Sequence, residues 1–381
     1  MVLGRTILIS AGETSGDIHG AGLVAELKKK CGGYDFVGLG GEQLKSEGVQ
    51  LFYHCRDLAA LGFLEVAARI KFFIGVKNEI TRYLTENRPD LVVLVDYPGL
   101  NLKIAEEAHK LNIPVVYFIM PQVWAWKPKR VIALKNYCRL LISILPFEVD
   151  FFKKHDTKIE YVGHPLIDVI PPPRTRKEVR FFLELPNDMR LLALLPGSRQ
   201  QEIERNLPVM VNTFRKLTKR FENLDGVIIK APDLDRKLYE KAEGDLPPTL
   251  EITDQHKYEY IQASNCALVA SGTATLETAL CLTPAVVMYR TTFLTYLLAR
   301  MFIKIDSIAL ANLVAQEKVF PELVQFRARS KSIAYELRKY LEDPDYNELV
   351  RSKLSNVRDR LKPKGAYARA ADLIRDRVLR H

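Results

Sequence analysis

The chain has 381 residues, 48% hydrophobic and 27% charged, which excludes a disordered protein and allows two domains with separate cores. A net charge of +10 points to an anionic partner: nucleic acid, lipid head groups or a phosphorylated substrate. Five scattered cysteines (Cys31, Cys55, Cys138, Cys266, Cys281) with no C-x-x-C pair argue against zinc and predict a reduced, cytosolic chain, while no apolar run reaches the roughly 20 residues of a membrane span.

The first strand-like run, Thr6–Ala11, starts after five residues, which leaves no room for a leader peptide in the expected reading. It opens directly into Gly12-Glu13-Thr14-Ser15-Gly16-Asp17-Ile18-His19-Gly20. That stretch lacks the Gly-Lys-Ser/Thr ending of a P-loop, and the polar side chains Glu13, Ser15, Asp17 and His19 at a strand end suit hydroxyl recognition. A helical stretch, Gly20–Lys30, follows, and Gly38-Leu39-Gly40-Gly41 is expected to be a turn. Further β-branched apolar runs lie at Val92–Gly99, Pro114–Met120, Leu140–Pro146 and Ile159–Gly163, with helical stretches such as Ile104–Lys110 between them. Continuous rather than alternating hydrophobicity marks strands covered on both faces, as in a parallel doubly wound α/β sheet whose ligands sit at the carboxyl ends of the strands.

Asp96 stands at such an end, behind Val92-Val93-Leu94-Val95. A carboxylate with its back to an apolar sheet has a raised pKa and can act as a general base; the alternative is a cap for the next helix. Pro121–Arg130 holds both tryptophans, Trp124 and Trp126, beside Lys127, Lys129 and Arg130. No RNA or DNA module surrounds them, so a loop over a phosphorylated sugar is favoured and no nucleic-acid partner is expected.

Pro171-Pro172-Pro173 followed by Arg174–Lys177 reads as a stiff, solvated linker, giving domains at 1–170 and 178–362. The second domain again alternates, with strands expected in Leu191–Gly197, Gly226–Pro232, Thr249–Thr253, Cys266–Gly272 and Ala285–Arg290. In Leu191–Asn206 an apolar run breaks at Pro196-Gly197-Ser198-Arg199 before a polar helix. Free backbone N–H groups and the dipole of a helix start favour an anion there; Gly197 allows close approach, Ser198 can cap or donate, and Arg199 adds charge. Ser271–Glu277 repeats the design, with Gly272 and Thr273 opening a helix and Glu277 placed to accept hydrogen bonds from a ribose diol. Asn312, in an otherwise apolar stretch, is a further candidate for a phosphate or sugar contact.

Two segments carry extra apolar surface. Phe63–Leu84 places Phe72 and Val76 among Arg69, Lys71, Lys77 and Arg82, and Phe293–Ile303, including Leu297, is apolar nearly all round. Both suit an anionic lipid surface or an acyl chain; buried packing is the alternative. Asp233-Leu234-Asp235 and Asp343-Pro344-Asp345 have the D-x-D shape of some metal sites but lie in turn-like surroundings, so no metal is expected. A final helix over 366–381 carries Tyr367, Ala370, Ala371, Ile374 and Val378 on one stripe.

Six motifs fall in one order along the chain: AGETSGD (Ala11–Asp17), PQVWAW (Pro121–Trp126), LPFE (Leu145–Glu148), VGHP (Val162–Pro165), LLPGSR (Leu194–Arg199) and SGTATLE (Ser271–Glu277). In this the chain resembles the lipid-A-disaccharide synthase family, inverting glycosyltransferases of GT-B type (family 19), over nearly its whole length. The resemblance implies two Rossmann-like domains facing across a cleft, the first for the acceptor and the second for the UDP-sugar donor, with the terminal helix crossing back to the first. It implies transfer of 2,3-diacylglucosamine from its UDP derivative to the 6-hydroxyl of 2,3-diacylglucosamine 1-phosphate, giving a β-1,6 disaccharide and UDP without a metal cofactor. It also implies a cytoplasmic chain held peripherally at the inner face of the membrane. By position, Asp96 would be the base and Arg199, Glu277 and Asn312 would contact UDP. Gly99 stands where some relatives have a second aspartate, so Asp96 is expected to be the only carboxylate at its strand end. A UDP-sugar epimerase, a transferase to a lipid-linked muramyl peptide and a lipid-binding adaptor are the competing readings.

Overall fold

Aliphatic runs without polar interruption bury both faces only inside a covered parallel sheet, and two such sheets form here. The computed structural model describes residues 5–59, 66–126, 130–231, 234–243, 246–291 and 307–379. The chain divides into unit 1, Met1–Pro165 with Pro363–His381, and unit 2, Leu166–Lys362.

Unit 1 contains β1 (Arg5–Ala11), β2 (Tyr34–Gly40), β3 (Gln50–His54), β4 (Leu91–Val95), β5 (Val115–Phe118), β6 (Leu140–Ser143) and β7 (Glu160–Tyr161). They pair in parallel in the order β3-β2-β1-β4-β5-β6-β7. Unit 2 contains β8 (Arg190–Leu195), β9 (Leu224–Ile229), β10 (Leu250–Thr253), β11 (Cys266–Ala270), β12 (Ala285–Tyr289) and β13 (Glu322–Val324), also parallel, in the order β10-β9-β8-β11-β12-β13. β4 and β11 are buried at every residue. In each sheet the winding direction reverses once, between β1 and β4 and between β8 and β11. Those switch points are where open α/β sheets leave a crevice for ligands.

The expected turn at Gly38–Gly41 is instead the end of β2. Gly38 has φ of 146°, and a Cβ there would lie 1.8 Å from the Ile9 carbonyl oxygen. Gly38 is required by close packing of β2 on β1, whereas Gly40 makes room for Leu44 and Gly41 for Asp17. The expected linker is also different. The boundary comes at Pro165/Leu166, and Thr175 and Glu178 form a capping box that starts the helix Arg176–Phe182 inside unit 2.

The terminal segment belongs to unit 1. The helix Ala366–Ile374 continues as a π-helical turn, Arg375–Leu379, and packs on the helix Thr14–Lys30. Lys30 Nζ donates to Ala368 O at 2.8 Å and pairs with Asp372 at 2.5 Å; Tyr367 Oη meets His19 Nδ1 at 2.9 Å; Arg369 Nε and Nη2 donate to Val162 O at 2.9 and 2.7 Å. Ala370, Ala371, Ile374 and Val378 of the expected stripe are buried.

The helix Val66–Asn87 corrects one lipid-facing assignment. Val76 is 1% exposed and lies in the core with Ile80 and Leu84. Phe72 is half-buried, edge-on to Tyr53 and Phe73, whereas Ile74 is exposed. Phe293, Leu297 and Lys127 lie outside the described residues, as does Asp233.

Gly38→Ala is expected to destabilise unit 1 by about 3 kcal/mol or more, because overpacking adds to the left-handed backbone penalty. Urea unfolding measures this; a change under about 1 kcal/mol would mean that β1 and β2 can separate at little cost.

Candidate active site

At the switch point of unit 1, β1 runs into Gly12-Glu13 and β4 into Asp96-Tyr97. Asp96 and Tyr97 both adopt left-handed backbone, with φ of 46° and 48°. Two successive non-glycine residues in that region cost on the order of 1–3 kcal/mol each, so the surroundings must hold them. Asn101, fully buried in the helix Pro98–Lys110, does so. Its amide nitrogen donates to Asp96 O at 2.7 Å, Val95 O at 3.1 Å and Ser10 O at 3.2 Å, while its oxygen accepts from Ser10 Oγ at 2.6 Å. Tyr117 Oη adds a bond to Asp96 O at 2.7 Å, and Asp96 N donates to Ile119 O at 3.0 Å. Gly12 is glycine for a local reason, since a Cβ there would lie 2.2 Å from the Tyr97 ring.

Asp96 does not cap the following helix: Tyr97 is at the cap position and makes no side-chain capping bond. Burial, then the charge of Glu13, raises the Asp96 carboxyl to about 6. Asp96 is therefore not isolated from other carboxylates, as the sequence suggested. Glu13 arrives from β1, a strand the local sequence around Gly99 says nothing about.

The remaining acceptor-side candidates divide. Ser15 is exposed and His19 half-buried, and burial lowers His19 to about 4, leaving it neutral. Asp17 has a structural role. It is 3% exposed and accepts from Gly41 N at 2.7 Å, Gln43 N at 3.0 Å and Leu44 N at 3.0 Å. It caps the helix Glu42–Ser46 from a distance, with both carboxylate oxygens engaged by backbone N–H groups. Trp124 is half-buried, its Nε1 donating to Glu148 Oε1 at 3.0 Å and its ring edge-on to Phe147.

In unit 2, β8 ends at the loop Pro196–Arg199. Gly197 has φ of 130° and the loop is closed by Asn206 Nδ2, which donates to Pro196 O at 2.8 Å. Arg199, not Ser198, takes the cap position of the helix Gln200–Thr218, with no side-chain cap. Ser198 N instead donates to Glu202 Oε2 at 2.9 Å. A carboxylate thus answers the positive end of the helix, where an anionic ligand would compete with it. Ser198 and Arg199 are exposed.

β11 ends at Ala270 and leads through Ser271 to Gly272, whose φ of 144° with open space around its Cβ position identifies a backbone requirement. Thr273 starts the next helix. Glu277, 8% exposed, receives Lys257 Nζ on Oε1 and Oε2 at 2.7 and 2.8 Å and Tyr258 Oη on Oε1 at 3.1 Å. Oε2 keeps more room for another donor. Asn312 is 2% exposed and committed inside unit 2: it donates to Phe320 O at 2.9 Å and Glu322 Oε1 at 2.8 Å and accepts from Phe320 N at 2.8 Å. Its amide holds the loop before β13 and both N–H hydrogens are used, so donating to a UDP phosphate would require giving up one of these bonds.

Four residues at these positions escaped the sequence reading: Asn101, Glu148, Lys257 and Tyr258. Asn101 had a signal, a polar residue on the same helical stripe as Ile104 and Ala105. Glu148 has a signal in the LPFE motif, a carboxylate in the first turn of a helix that follows an apolar strand.

A family model described as lipid-A-disaccharide synthetase matches residues 7–372. The chain belongs to that family. A lipid-A-disaccharide synthase of Syntrophus aciditrophicus (strain SB) is 40% identical over 369 residues, 96% of either chain. Another, from Myxococcus xanthus (strain DK1622), is 37% identical over 369 residues, covering 97% of this chain and 96% of that one. Among solved structures, a UDP-GlcNAc 2-epimerase from Neisseria meningitidis bound to UDP-GlcNAc has a TM-score of 0.64 at 13% identity, covering 99% of this chain and all of that one. CalG4, the calicheamicin glycosyltransferase, has the same TM-score at 17% identity, covering all of this chain and 99% of its own. At such identities they share the fold with this synthetase-family chain, the two-domain α/β fold of GT-B glycosyltransferases.

The raised Asp96 pKa has a stability consequence. The folded chain holds this proton more tightly than the unfolded chain, so stability is fully present at low pH and falls as pH rises from near 3.8 through about 6. Asp96→Asn is expected to stabilise the protein by up to about 3 kcal/mol at neutral pH, with the gain vanishing near pH 3. Urea unfolding across pH checks it; a gain independent of pH would reject the buried-carboxyl account.

Proposed function

We propose that this chain transfers 2,3-diacylglucosamine from UDP-2,3-diacylglucosamine to the 6-hydroxyl of 2,3-diacylglucosamine 1-phosphate, giving the β-1,6 disaccharide and UDP with inversion. The observation that carries the reading is that the candidate base and the candidate diphosphate loops each stand at the switch point of their own sheet. Membership of the synthetase family supplies the substrates.

Asp96 takes the proton of the acceptor 6-hydroxyl as its oxygen attacks the donor anomeric carbon. The bond from that carbon to the diphosphate oxygen breaks, and its electron pair leaves with UDP. The Gly197–Arg199 helix start and the Arg199 guanidinium stabilise the departing charge in place of a metal. The loop at Gly272 and Thr273 and the free room on Glu277 Oε2 serve the nucleoside part of the donor. Glu13, Ser15, His19 and Trp124 serve the acceptor. Among the described residues of the two D-x-D stretches, Asp343 caps a helix by accepting from Tyr346 N at 2.9 Å, and Asp235 accepts from Lys237 N at 2.9 Å.

Among the described residues no helix is long and apolar enough to cross a membrane. The acylated substrates and the net charge of +10 support peripheral attachment to the anionic inner face of the cytoplasmic membrane, with exposed Ile74 beside half-buried Phe72 as a contact.

With Asp96 near 6, the rate limited by its ionised form should fall about tenfold per pH unit below that value. Asp96→Asn should lower turnover by roughly 10²–10⁴-fold while UDP still binds. Equal loss of UDP affinity and turnover would remove Asp96 from the role of base. Arg199→Ala should weaken UDP binding by about tenfold, the worth of one charge-assisted hydrogen bond. Unchanged affinity by calorimetry would place the diphosphate elsewhere.

A further inference from the structure

Glu148 is a carboxyl with 2% exposure for which the reaction above has no use. Burying a carboxyl is costly unless its oxygens are satisfied, and such groups concentrate where a site needs a fixed geometry. Glu148 lies in the first turn of the helix Pro146–Lys153, which leaves β6. Trp124 lies in the short helix Val123–Trp126, which follows β5, and Asp96 follows β4. β4, β5 and β6 are neighbours in the sheet, so the three residues occupy three consecutive strand ends.

The hydrogen bonds around Glu148 close completely when it is a neutral acid. Leu145 N donates to Ser143 Oγ at 3.0 Å, and Ser143 Oγ has Leu145 O as an acceptor at 2.9 Å. Glu148 Oε2 makes a short contact with Ser143 Oγ, and Oε1 accepts from Trp124 Nε1. A hydroxyl carries one hydrogen. If Ser143 gives it to Leu145 O, Glu148 must supply the proton between Oε2 and Oγ; if Glu148 is ionised, Ser143 turns to it and the Leu145 carbonyl loses that partner. Burial first, and the Asp96 charge as a smaller addition, raise Glu148 to about 7, while the bonds from Ser143 and Trp124 pull it down. Asp96 can therefore ionise while its carboxyl neighbour remains neutral.

We propose that Glu148 is a positioning residue for the acceptor: its buried carboxyl fixes the Trp124 indole beside the Asp96 strand end as the aromatic surface on which the acceptor glucosamine ring is seated. The inference rests on the acceptor-side reading of unit 1 given above. An indole suits this role because it offers a broad apolar face while its N–H needs one partner, which Glu148 supplies from below. Gln in place of Glu148 keeps an acceptor for that N–H and removes the titration; Leu removes both.

The chain holds two tryptophans, so Trp126→Phe leaves Trp124 as the sole indole emitter. In that background, emission followed across pH should change in a step centred near 7, and Glu148→Gln should abolish the step. A step that persists in Glu148→Gln belongs to another group, such as Asp96, and overturns the link. For the reaction, Glu148→Leu should raise the acceptor KM roughly three- to tenfold, the worth of one hydrogen bond, and leave the donor KM unchanged. Glu148→Gln should restore the acceptor KM to within about twofold of the native value. Trp124→Phe should match Glu148→Leu, and the double variant should be no worse than either. Unchanged acceptor KM in a folded Glu148→Leu, or equal rises for both substrates, would reduce Glu148 to a packing residue. If the unaltered chain forms no disaccharide, the proposed reaction fails; the emission step then still decides whether Glu148 holds Trp124.

Discussion

The left-handed turn at Asp96-Tyr97 is the constraint on which the candidate site of unit 1 depends, and one buried amide maintains it. Asn101 binds the carbonyls of Ser10, Val95 and Asp96 and the Ser10 hydroxyl, so it ties the ends of β1 and β4 across the point where the sheet changes direction. A strained carboxylate persists there only because the strands beneath it are buried and cannot slide. The same tie sets the electrostatics. It holds Asp96 where burial and Glu13 raise its pKa, and so makes a basic carboxylate out of an ordinary aspartate.

The two units solve the same topological problem with opposite chemistry. Both sheets reverse winding beside their first strand. Unit 1 presents carboxyls and aromatic rings at its reversal: Glu13, Asp96, Tyr97 and, two strands on, Glu148 with Trp124. Unit 2 presents glycine-opened helix starts at Gly197 and Gly272, with Arg199 on one side and Lys257 feeding Glu277 on the other. A candidate to remove a proton and a candidate to receive negative charge are what the proposed transfer of a glycosyl unit from a diphosphate demands. Glu202 now bonds Ser198 N at 2.9 Å, so the anion seat is answered by the protein's own carboxylate.

Much of this was legible in the sequence because parallel strands are written as uninterrupted apolar runs. β4, β5, β8 and β11 could be placed within a few residues, and with them the loops that follow. β2 could not, because YDFVGLG uses Gly38 for close approach to β1 and Gly40 to admit Leu44, and the same glycines read equally well as a turn. Polar residues were harder still. Asp17 and Asn312 look like ligand contacts in one dimension, but their partners lie at Gly41–Leu44 and Phe320–Glu322, reached only through the fold. Val76 looked like lipid-facing surface because a basic amphipathic helix can turn its apolar stripe either way, and the stripe carrying Val76, Ile80 and Leu84 faces inward.

The terminal helix has a bearing on how the chain is made. Unit 1 is assembled from Met1–Pro165 and Pro363–His381, with all of unit 2 between them. During synthesis a ribosome delivers the whole of unit 2 before the segment that covers the helix Thr14–Lys30 emerges. Until then Gly22 lacks the Tyr367 ring that packs against it, and Lys30 lacks Asp372. The unit that carries Asp96 is therefore the first begun and the last finished, and a premature stop near the end of the message would injure unit 1 while sparing unit 2.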